Sequence, residues 1–404
     1  RKQAVLFTTP KPAFTPIPEE RASSSASRFQ WVMWLLTFKR QEITMKKPNA
    51  ETLDLLGKDL DKIRNEAMSK VGQEDADYIR KIVNIQRGCE VGGRVCLMFG
   101  LNPIFWTAGV GLLSLSKILD NMEIGHNILH GQYDWMNDPH LNSKTYEWDI
   151  VCDSESWART HNYEHHTYTN ILGKDRDYGY GLLRLTHKEK WSPLHLFQFI
   201  HYLVLSAVFE WGVALHELRL DEVISGKTKF REKIPFIKSL ARKSGRQIFK
   251  DYIFFPILAG PALLPVLAGN FAANIIRNLW TSTIIFCGHF PDEVEVFTEE
   301  ESLNESQGHW YYRQILGSAN FDGSDLLHLL SGHLSLQVEH HLFPNVPAHR
   351  YKEMAPQVEA VAKKYGIPYN KKPFWTQYKT VVKRILRHSI PEFGKLRPAI
   401  KTAV

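Results

Sequence analysis

Histidine is the residue type in this chain best suited to chemistry, with 18 histidines in 404 residues. Three clusters have a distinct spacing: HNILH at 126–130, HNYEHH at 161–166 and QVEHH at 337–341. On a helix, side chains four positions apart lie on one face, about 5 to 6 Å from each other. In the first two clusters, histidines four positions apart are therefore expected to converge on shared centres.

The paired histidines predict more than one centre. His166 and His341 each follow another histidine directly, so they point about 100° round the helix from it, which favours a second metal beside the first. His289 ends a long apolar tract and would reach the same side. An all-imidazole set suits iron, copper, zinc or nickel, and eight ligands predict two metals. The candidate ligands are His126, His130, His161, His165, His166, His289, His340 and His341.

Two other metal chemistries fit the residues less well. His161-x-x-Glu164-His165 matches the HxxEH pattern of zinc proteases, in which the glutamate is the general base. That interpretation leaves His166 and the other clusters without a role. Carboxylate di-iron proteins need paired Glu-x-x-His motifs, and we find only Glu123-x-x-His126.

Long apolar tracts must position these clusters. The tract 252–290 is about twice the roughly 20 residues that a membrane helix needs, with Gly269-Asn270 as a turn signal at its midpoint. The tract 91–122 is interrupted at 100–103. Both are expected to be helical hairpins, and Arg277 inside the second should face protein or a polar cavity.

A third tract, 194–215, contains four polar side chains and is predicted to be an interfacial or buried helix. A span there would carry the basic segment 219–250 across the membrane, against the positive-inside rule. The fold expected is an all-α integral membrane protein. It has four transmembrane helices in two hairpins and a helical cytosolic cap (123–250 and 291–404) that holds a histidine-ligated di-metal site.

The amino-terminal region divides into two parts. Residues 1–44 are rich in proline and serine around a short apolar run, so we expect them to be disordered, with Met45 as an alternative start and 45–404 as the functional domain. From Asn49, apolar residues recur at three and four positions, which predicts amphipathic helices with a break at Gly72. The mean hydropathy of the whole chain, −0.28, is therefore an average over apolar tracts and a charged remainder.

The distribution of charge and the number of cysteines limit the kinds of ligand and cofactor that the protein is expected to bind. The net charge of +7 is concentrated in 219–250, where ten basic side chains face three acidic ones, and in 361–404, where eleven face one. These segments are either solvated faces or contacts for anionic headgroups or a phosphorylated ligand. Four cysteines without a CxxC motif argue against a disulfide framework or a cysteine zinc site. No nucleic-acid partner is expected.

Taken with their surroundings, the three clusters resemble the membrane-bound fatty acid desaturases. The resemblance covers roughly residues 75–369. Within that family, the chain most resembles bacterial acyl-CoA (stearoyl-CoA) 9-desaturases of the mycobacterial and pseudomonad type. It rests on MEIGHNILHGQYDWMNDP, THNYEHHTYTNILGKDRDYGYG, FEWGVAL, FCGHFPD, LGSANF and QVEHHLFPNVP. One departure is Gln337, which stands where many members have the first histidine of the third box.

The resemblance implies an O2-dependent fatty acyl desaturase. Two non-haem irons held by the eight histidines, with Gln337 near the third box, would insert a cis double bond at carbon 9 of a long-chain acyl-CoA. The cytochrome b5 signature HPGG is absent, so electrons would come from a separate NADPH-dependent iron-sulfur oxidoreductase of the ferredoxin type. The active site would lie on the cytosolic face of a multi-pass membrane protein. Hydrogen-bond acceptors for the imidazole N–H groups would be Asn127, Glu164, Asp177 and Glu339.

Three alternatives remain open from the sequence. A histidine-box hydroxylase or monooxygenase would share the metal site, a membrane zinc hydrolase would use HxxEH, and a non-catalytic scaffold would use neither. Metal content separates the first from the second, because two irons per chain exclude a single-zinc site.

Overall fold

The computed structural model describes residues 48–391. The expectations for residues 1–44, and the end of the basic segment 361–404, lie outside these described residues. The described part is almost entirely helical, which confirms the main class of the predicted fold.

Seventeen α-helices follow one another in the described residues. Those before the second hairpin are α1 (Ala50–Met68), α2 (Gln73–Met98), α3 (Pro103–Ile118), α4 (Asn127–Leu129), α5 (Ser154–Trp157), α6 (His166–Tyr168), α7 (Gln198–Ala207), α8 (Phe209–His216) and α9 (Leu220–Ile224). The others are α10 (Ile234–Ile248), α11 (Phe255–Leu258), α12 (Leu263–His289), α13 (Gln307–Leu316), α14 (Asp325–Leu330), α15 (Gln337–Leu342), α16 (Tyr351–Lys364) and α17 (Phe374–His388). π-Helical segments occupy Leu119–His126, Ala158–His165 and Phe249–Phe254.

The first hairpin forms where the sequence predicts it. Helix α2 ends at Met98, and α3 begins at Pro103 with the Asn102 side chain accepting a hydrogen bond from the Ile104 amide at 2.9 Å. The two helices approach closely at Gly93, where an added Cβ would lie 2.8 Å from the Leu113 nitrogen. The predicted break at Gly72 is also confirmed, because it separates α1 from α2.

The second hairpin turns at a different place from the one predicted. Helix α12 runs without interruption through Gly269 and Asn270, so the prediction of a turn at that dipeptide was wrong. The chain reverses instead at 259–262, where Gly260 has a φ of +55°. Gly269 serves as a close-contact position, since a Cβ there would lie 2.5 Å from the Leu97 side chain. The arm before the turn is a continuous helical run of α10, Phe249–Phe254 and α11.

A buried ionic network joins the two hairpins. Asp251 accepts hydrogen bonds from Arg94 at 2.7 Å and from Lys117 at 2.9 Å, and all three side chains are at most 6% exposed. Arg277 is 1% exposed and pairs with Glu210 at 2.5 Å, which confirms that this cation faces protein. Since a buried charge without a partner is costly, these pairs fix how the hairpin helices meet.

The carboxyl-terminal part adds a small parallel β-pair, which the all-α expectation does not include. Strands β1 (Asn320–Asp322) and β2 (Lys371–Pro373) pair with Asn320 opposite Lys371. An apolar core under this part buries residues of α1, α13 and α16, among them Leu56, Tyr311 and Val358. The core anchors α15, which carries the third histidine cluster.

The tract 194–215 is bent. A 3-10 turn at Pro193–Phe197 and α7 lead to α8, with a 95° change of direction between Pro193–Ala207 and Phe209–His216. This bent pair has a combined length and composition compatible with crossing a membrane. Within residues 48–391, no unbroken helix is both long and apolar enough to do so.

Candidate metal centre

Four separate stretches of chain bring the eight predicted histidines together. Two π-helical segments supply His126, His161 and His165, and π-helical turns occur frequently at functional sites. The remaining histidines stand at the adjoining helix ends, at the last residue of α12 and within α15. Six of the eight are buried and two are partly buried, so the clusters form one interior site. Its members are His126, His130, His161, His165, His166, His289, His340 and His341.

The first group within this site has four imidazoles. His126, His130, His161 and His340 each offer one nitrogen, and these four nitrogens lie within 4.8 Å of one another. The rings of His126 and His130 are 4.6 Å apart, as the four-residue spacing predicts. Four converging imidazoles are enough to bind one metal ion of the transition series.

The second group has three imidazoles. Nitrogens of His165, His289 and His341 also lie within 4.8 Å of one another, and the Nε2 atoms of His289 and His341 are 3.3 Å apart. His161 and His165 thus fall into different all-histidine groups, but their rings stack at 5.0 Å. One ligand atom of each also lies within 4.8 Å of an Asp177 oxygen, which makes a third possible ligand group.

His166 lies between the two groups. Its ring stacks on His341 at 4.4 Å and is 4.7 Å from the ring of His130. Both of its nitrogens are buried without a hydrogen-bond partner. It is therefore available to either group.

Unpartnered nitrogens are the observation that tests whether the site fits metal. Buried polar atoms are almost always hydrogen-bonded, because desolvation without a partner costs free energy. Here several imidazole nitrogens that face the interior of the site have no protein partner. They are His130 Nε2, His161 Nε2, His165 Nε2, His289 Nδ1, both nitrogens of His166 and both of His340. Nitrogen ligands converging in this way fit two metal ions.

Hydrogen bonds on the far side of the rings orient several ligands. Asp177 Oδ2 lies 2.9 Å from His161 Nδ1, and Asn127 Oδ1 lies 3.2 Å from His126 Nδ1, so each oxygen can accept a hydrogen bond from the ring. The geometry of both pairs matches the predicted role. Such a bond on one ring nitrogen fixes the tautomer and turns the other nitrogen towards the metal.

Two of the four acceptors predicted from the sequence have other partners. Glu164 forms an ion pair with Arg219, and Glu339 accepts hydrogen bonds from Asn320 and Tyr369, both at 2.8 Å. Their hydrogen bonds and ion pairs thus go to residues other than the histidines.

Sequence reasoning missed two orienting residues. Asp175 contacts His165 Nδ1 with both oxygens at 3.0 Å, and Gln314 Oε1 is 3.0 Å from His341 Nδ1. Asp175 could have been predicted from the sequence, since it stands two residues before Asp177 in the same motif. Gln314 could not have been predicted, because only the packing of α13 against α15 brings it near His341.

Gln337 occupies the edge of the second group. Its side-chain amide nitrogen is 3.0 Å from His289 Nε2, and its Oε1 is buried without a partner. The residue that stands in place of a histidine therefore still reaches the ligand group.

Burial controls the protonation of the site. Desolvation lowers the pKa of His126 to about 3, and it moves the pKa of His130, His166, His340 and His341 well below the usual value, with neighbouring histidines adding to the effect. Desolvation also opposes protonation of His165, but the Asp175 carboxylate outweighs it and raises that pKa. Most of the cluster is thus neutral, which is the form that binds metal.

A pocket opens onto the histidines from one side. His126, His161 and His289 form one part of its wall. Every third or fourth residue of α12 from Asn278 to His289 lines it. Most other lining side chains are apolar or aromatic, including Met122, Trp148, Ile150, Trp157, Tyr180, Phe209, Val213, Ile285 and Leu334. The pocket has the character of a site for an apolar ligand.

Comparison with known proteins agrees with this arrangement. The family model for fatty acid desaturases matches residues 103–373. The NADPH-dependent stearoyl-CoA 9-desaturase of Mycobacterium tuberculosis is 42% identical over 344 residues, covering 84% of this chain and 81% of the relative. The sn-1 linoleoyl-lipid 6-desaturase of Synechocystis is 28% identical over 66% of this chain and 75% of that protein. Fatty acid desaturase 3 of Bos taurus is 32% identical over 33% of this chain and 28% of its own length.

Proposed function

This chain belongs to the fatty acid desaturase family, and from that premise we propose that it is an O2-dependent acyl-CoA desaturase. It introduces a cis double bond at carbon 9 of a long-chain acyl-CoA. The observation that carries the proposal is the meeting of two imidazole groups at the wall of an apolar pocket. The name of the mycobacterial relative, a stearoyl-CoA 9-desaturase, supports the substrate and the position of the bond.

Two irons are the proposed cofactor. The first group (His126, His130, His161, His340) would hold one, and the second (His165, His289, His341) the other, with His166 and Gln337 at their borders. Bound iron supplies the activation of O2 and the removal of hydrogen from an unactivated carbon, which amino-acid side chains cannot perform. The protein holds most of the imidazoles neutral and orients several of them through Asp175, Asp177, Asn127 and Gln314.

The pocket supplies the selectivity of the reaction. Its apolar side chains would bind the acyl chain by excluding water, because burying each methylene contributes about 0.8 kcal/mol. An aliphatic chain with no other functional group can be positioned only by the shape of such a wall. The carbons beside His126, His161 and His289 would then be the ones that react.

A cationic surface near the site would bind the CoA phosphates. Arg219 pairs with Glu164 of the second cluster, so the basic segment 219–250 begins beside the site. Within the described residues, six of its ten cations are exposed and have no ion-pair partner: Lys227, Lys229, Arg231, Lys238, Arg242 and Arg246. Exposed cations of this kind are suited to a phosphorylated ligand.

We also propose that the protein is a multi-pass membrane protein with its metal site on the cytosolic face. Large apolar side chains are exposed along both hairpins, as at Val91, Ile104, Ile257 and Leu264, each at least 64% exposed. Exposed apolar surface of this extent is typical of contact with lipid. Electrons would come from a separate NADPH-dependent iron-sulfur oxidoreductase of the ferredoxin type.

The hydrolase alternative loses its general base. In the HxxEH pattern the base would be Glu164, and that carboxylate pairs with Arg219 instead of facing the histidines. A hydroxylase would share the metal site, so the product distinguishes it from a desaturase.

The decisive experiment combines product and metal analysis. Cells expressing the wild-type chain with a suitable reductase should gain a cis-9 monounsaturated fatty acid by gas chromatography, and the purified protein should hold two irons per chain. The His165→Ala variant should lose the product, whereas His187→Ala, on an exposed residue away from the site, should keep it. A hydroxylated fatty acid, or one zinc without iron, would contradict the proposal.

A further inference from the structure

Two buried tryptophans connect the first imidazole group with the rest of the protein. The indole of Trp157 stacks on His161 at 4.5 Å with an interplanar angle of 18°, and it lies 5.4 Å from His126 and 5.5 Å from His130. One aromatic side chain therefore touches three members of this group. Trp157 is also i−4 to His161, so the helix itself holds the stack.

The aromatic contact continues away from the centre. Trp148 lies 4.9 Å from Trp157 in an edge-to-face arrangement, and its indole N–H donates to the Cys152 carbonyl at 2.8 Å. Both indoles are at most 6% exposed. Tyr146 packs against the apolar cluster that contains both tryptophans, and it is partly buried.

Tyr146 has a proton acceptor in place. Its hydroxyl donates to Asp120 Oδ1 at 2.8 Å. A phenol that loses an electron becomes strongly acidic, so a hydrogen-bonded carboxylate lets electron and proton leave without long-range proton movement. Tyrosine and tryptophan are also the aromatic side chains that give up an electron most readily.

We propose that Trp157, Trp148 and Tyr146 form an electron-donating relay that protects the site when oxygen is activated without an acyl chain to react with. This inference rests on the proposed function. In each event Trp157 would give one electron to the oxidised iron, and Trp148 and then Tyr146 would replace that electron in turn. Two such events, with two protons from solvent, would release one oxygen atom as water. The Tyr146 proton passes to Asp120, and a soluble one-electron reductant, such as a thiol or ascorbate, restores the tyrosine with return of that proton.

Met122 reports whether the relay works. Its side chain lines the same pocket as Trp148 and Trp157 and is 2% exposed. Methionine is readily oxidised to the sulfoxide, so oxidising equivalents that the relay does not remove will accumulate there.

The test uses the full-length, iron-loaded protein with reductant and O2 but without acyl-CoA. Peptide mass spectrometry measures Met122 sulfoxide per iron and per O2 consumed, and freeze-quench electron paramagnetic resonance measures aromatic radicals. We expect Trp148→Phe and Trp157→Phe to raise Met122 sulfoxide several-fold, and Tyr146→Phe to remove the tyrosyl signal. Trp148→Phe is the more decisive variant, because Trp148 makes no ring contact with a histidine.

A matched control is Trp310→Phe, whose indole packs in a different core with α1 and α16. It should behave as the wild type does. Equal Met122 oxidation in wild type and Trp148→Phe, with O2 consumed by both, would overturn the relay while leaving the desaturase function intact. Failure of the wild type to consume O2 even with acyl-CoA would instead overturn the proposed function and the relay with it.

Discussion

Asp175 contacts the Nδ1 atom of His165 with both carboxylate oxygens at 3.0 Å. The same carboxylate accepts hydrogen bonds from the backbone amides of Asn170 at 2.7 Å and Asp177 at 2.9 Å. It therefore ties the loop after the second cluster to one of the ligands. His165 is held with its Nε2 facing the second imidazole group, and that nitrogen has no protein partner.

Replacing Asp175 by asparagine should weaken metal binding more than it alters the fold. The amide keeps one acceptor oxygen but replaces the other with an NH2 group, and it loses the negative charge that raises the basicity of the ligand. Such changes typically cost about 10- to 100-fold in metal affinity or activity. Iron per chain and product formation should both fall, with the circular dichroism spectrum unchanged. The exposed carboxylate of Asp325 offers a control, and a fully loaded Asp175→Asn protein would refute this role.

Gly288 is required where α12 meets Gln337. A Cβ at this position would lie 2.8 to 2.9 Å from the Cγ, Cδ and Oε1 atoms of Gln337. Gly288→Ala should therefore push Gln337 away from His289 and reduce activity, while Gly88→Ala, with nothing within 4 Å, should be neutral or stabilising. Product yield and thermal midpoint of both variants check this. Equal activity of the two would show that the position of Gln337 does not matter.

The set of eight histidines could be predicted from the sequence because the pattern that identifies it lies in short stretches of the chain. A spacing of four residues identifies histidines that share a helix face, adjacent histidines point to a second metal, and the apolar tracts indicate where the hairpins lie. Asp177 and Asn127 follow from the same local motifs. These features depend on residues close together in the chain, so they survive without knowledge of the tertiary structure.

Tertiary packing decides what the sequence could not predict. Gly269 looks like a turn residue, but it allows Leu97 to approach α12, and the chain turns nine residues earlier near Gly260. Gln314 is 27 residues from His341 and becomes its partner only through the packing of two helices. The pairing of Asp251 with Arg94 likewise joins residues 157 apart.

Asp251 should be essential to the stability of the two hairpins. Asp251→Ala leaves Arg94 and Lys117 buried without their shared carboxylate, and breaking a buried ion pair costs about 3 to 5 kcal/mol. Glu66→Ala is the matched control, because its pair with Lys62 is 3.9 Å long and exposed and is worth at most about 1 kcal/mol. Unfolding of the detergent-solubilised proteins measures the difference. Similar losses in the two variants would contradict the importance of the network.

His388 should make the protein less stable in acid. Burial lowers its pKa to about 3, with Arg384 and Arg184 opposing the charged form as well. The ordinary value is 6.5, so as the pH falls below that value the unfolded chain takes up a proton that the native protein does not. The free energy of unfolding should therefore fall, by up to about 1.4 kcal/mol per pH unit for one proton, until the pH nears 3.

His388→Asn removes the proton uptake of this one side chain, so the free energy of unfolding should fall less steeply between pH 6.5 and 3, by up to about 1.4 kcal/mol per pH unit. The buried histidines of the metal site contribute equally in both proteins. Because metal ligands release protons too, the comparison uses metal-free protein of both forms, unfolded by denaturant across that range. The matched control is His187→Asn, the same substitution at an exposed histidine. If His388→Asn showed the same slope as the wild type, the acid sensitivity would have to come from other groups, and His388 would be protonated in the native protein.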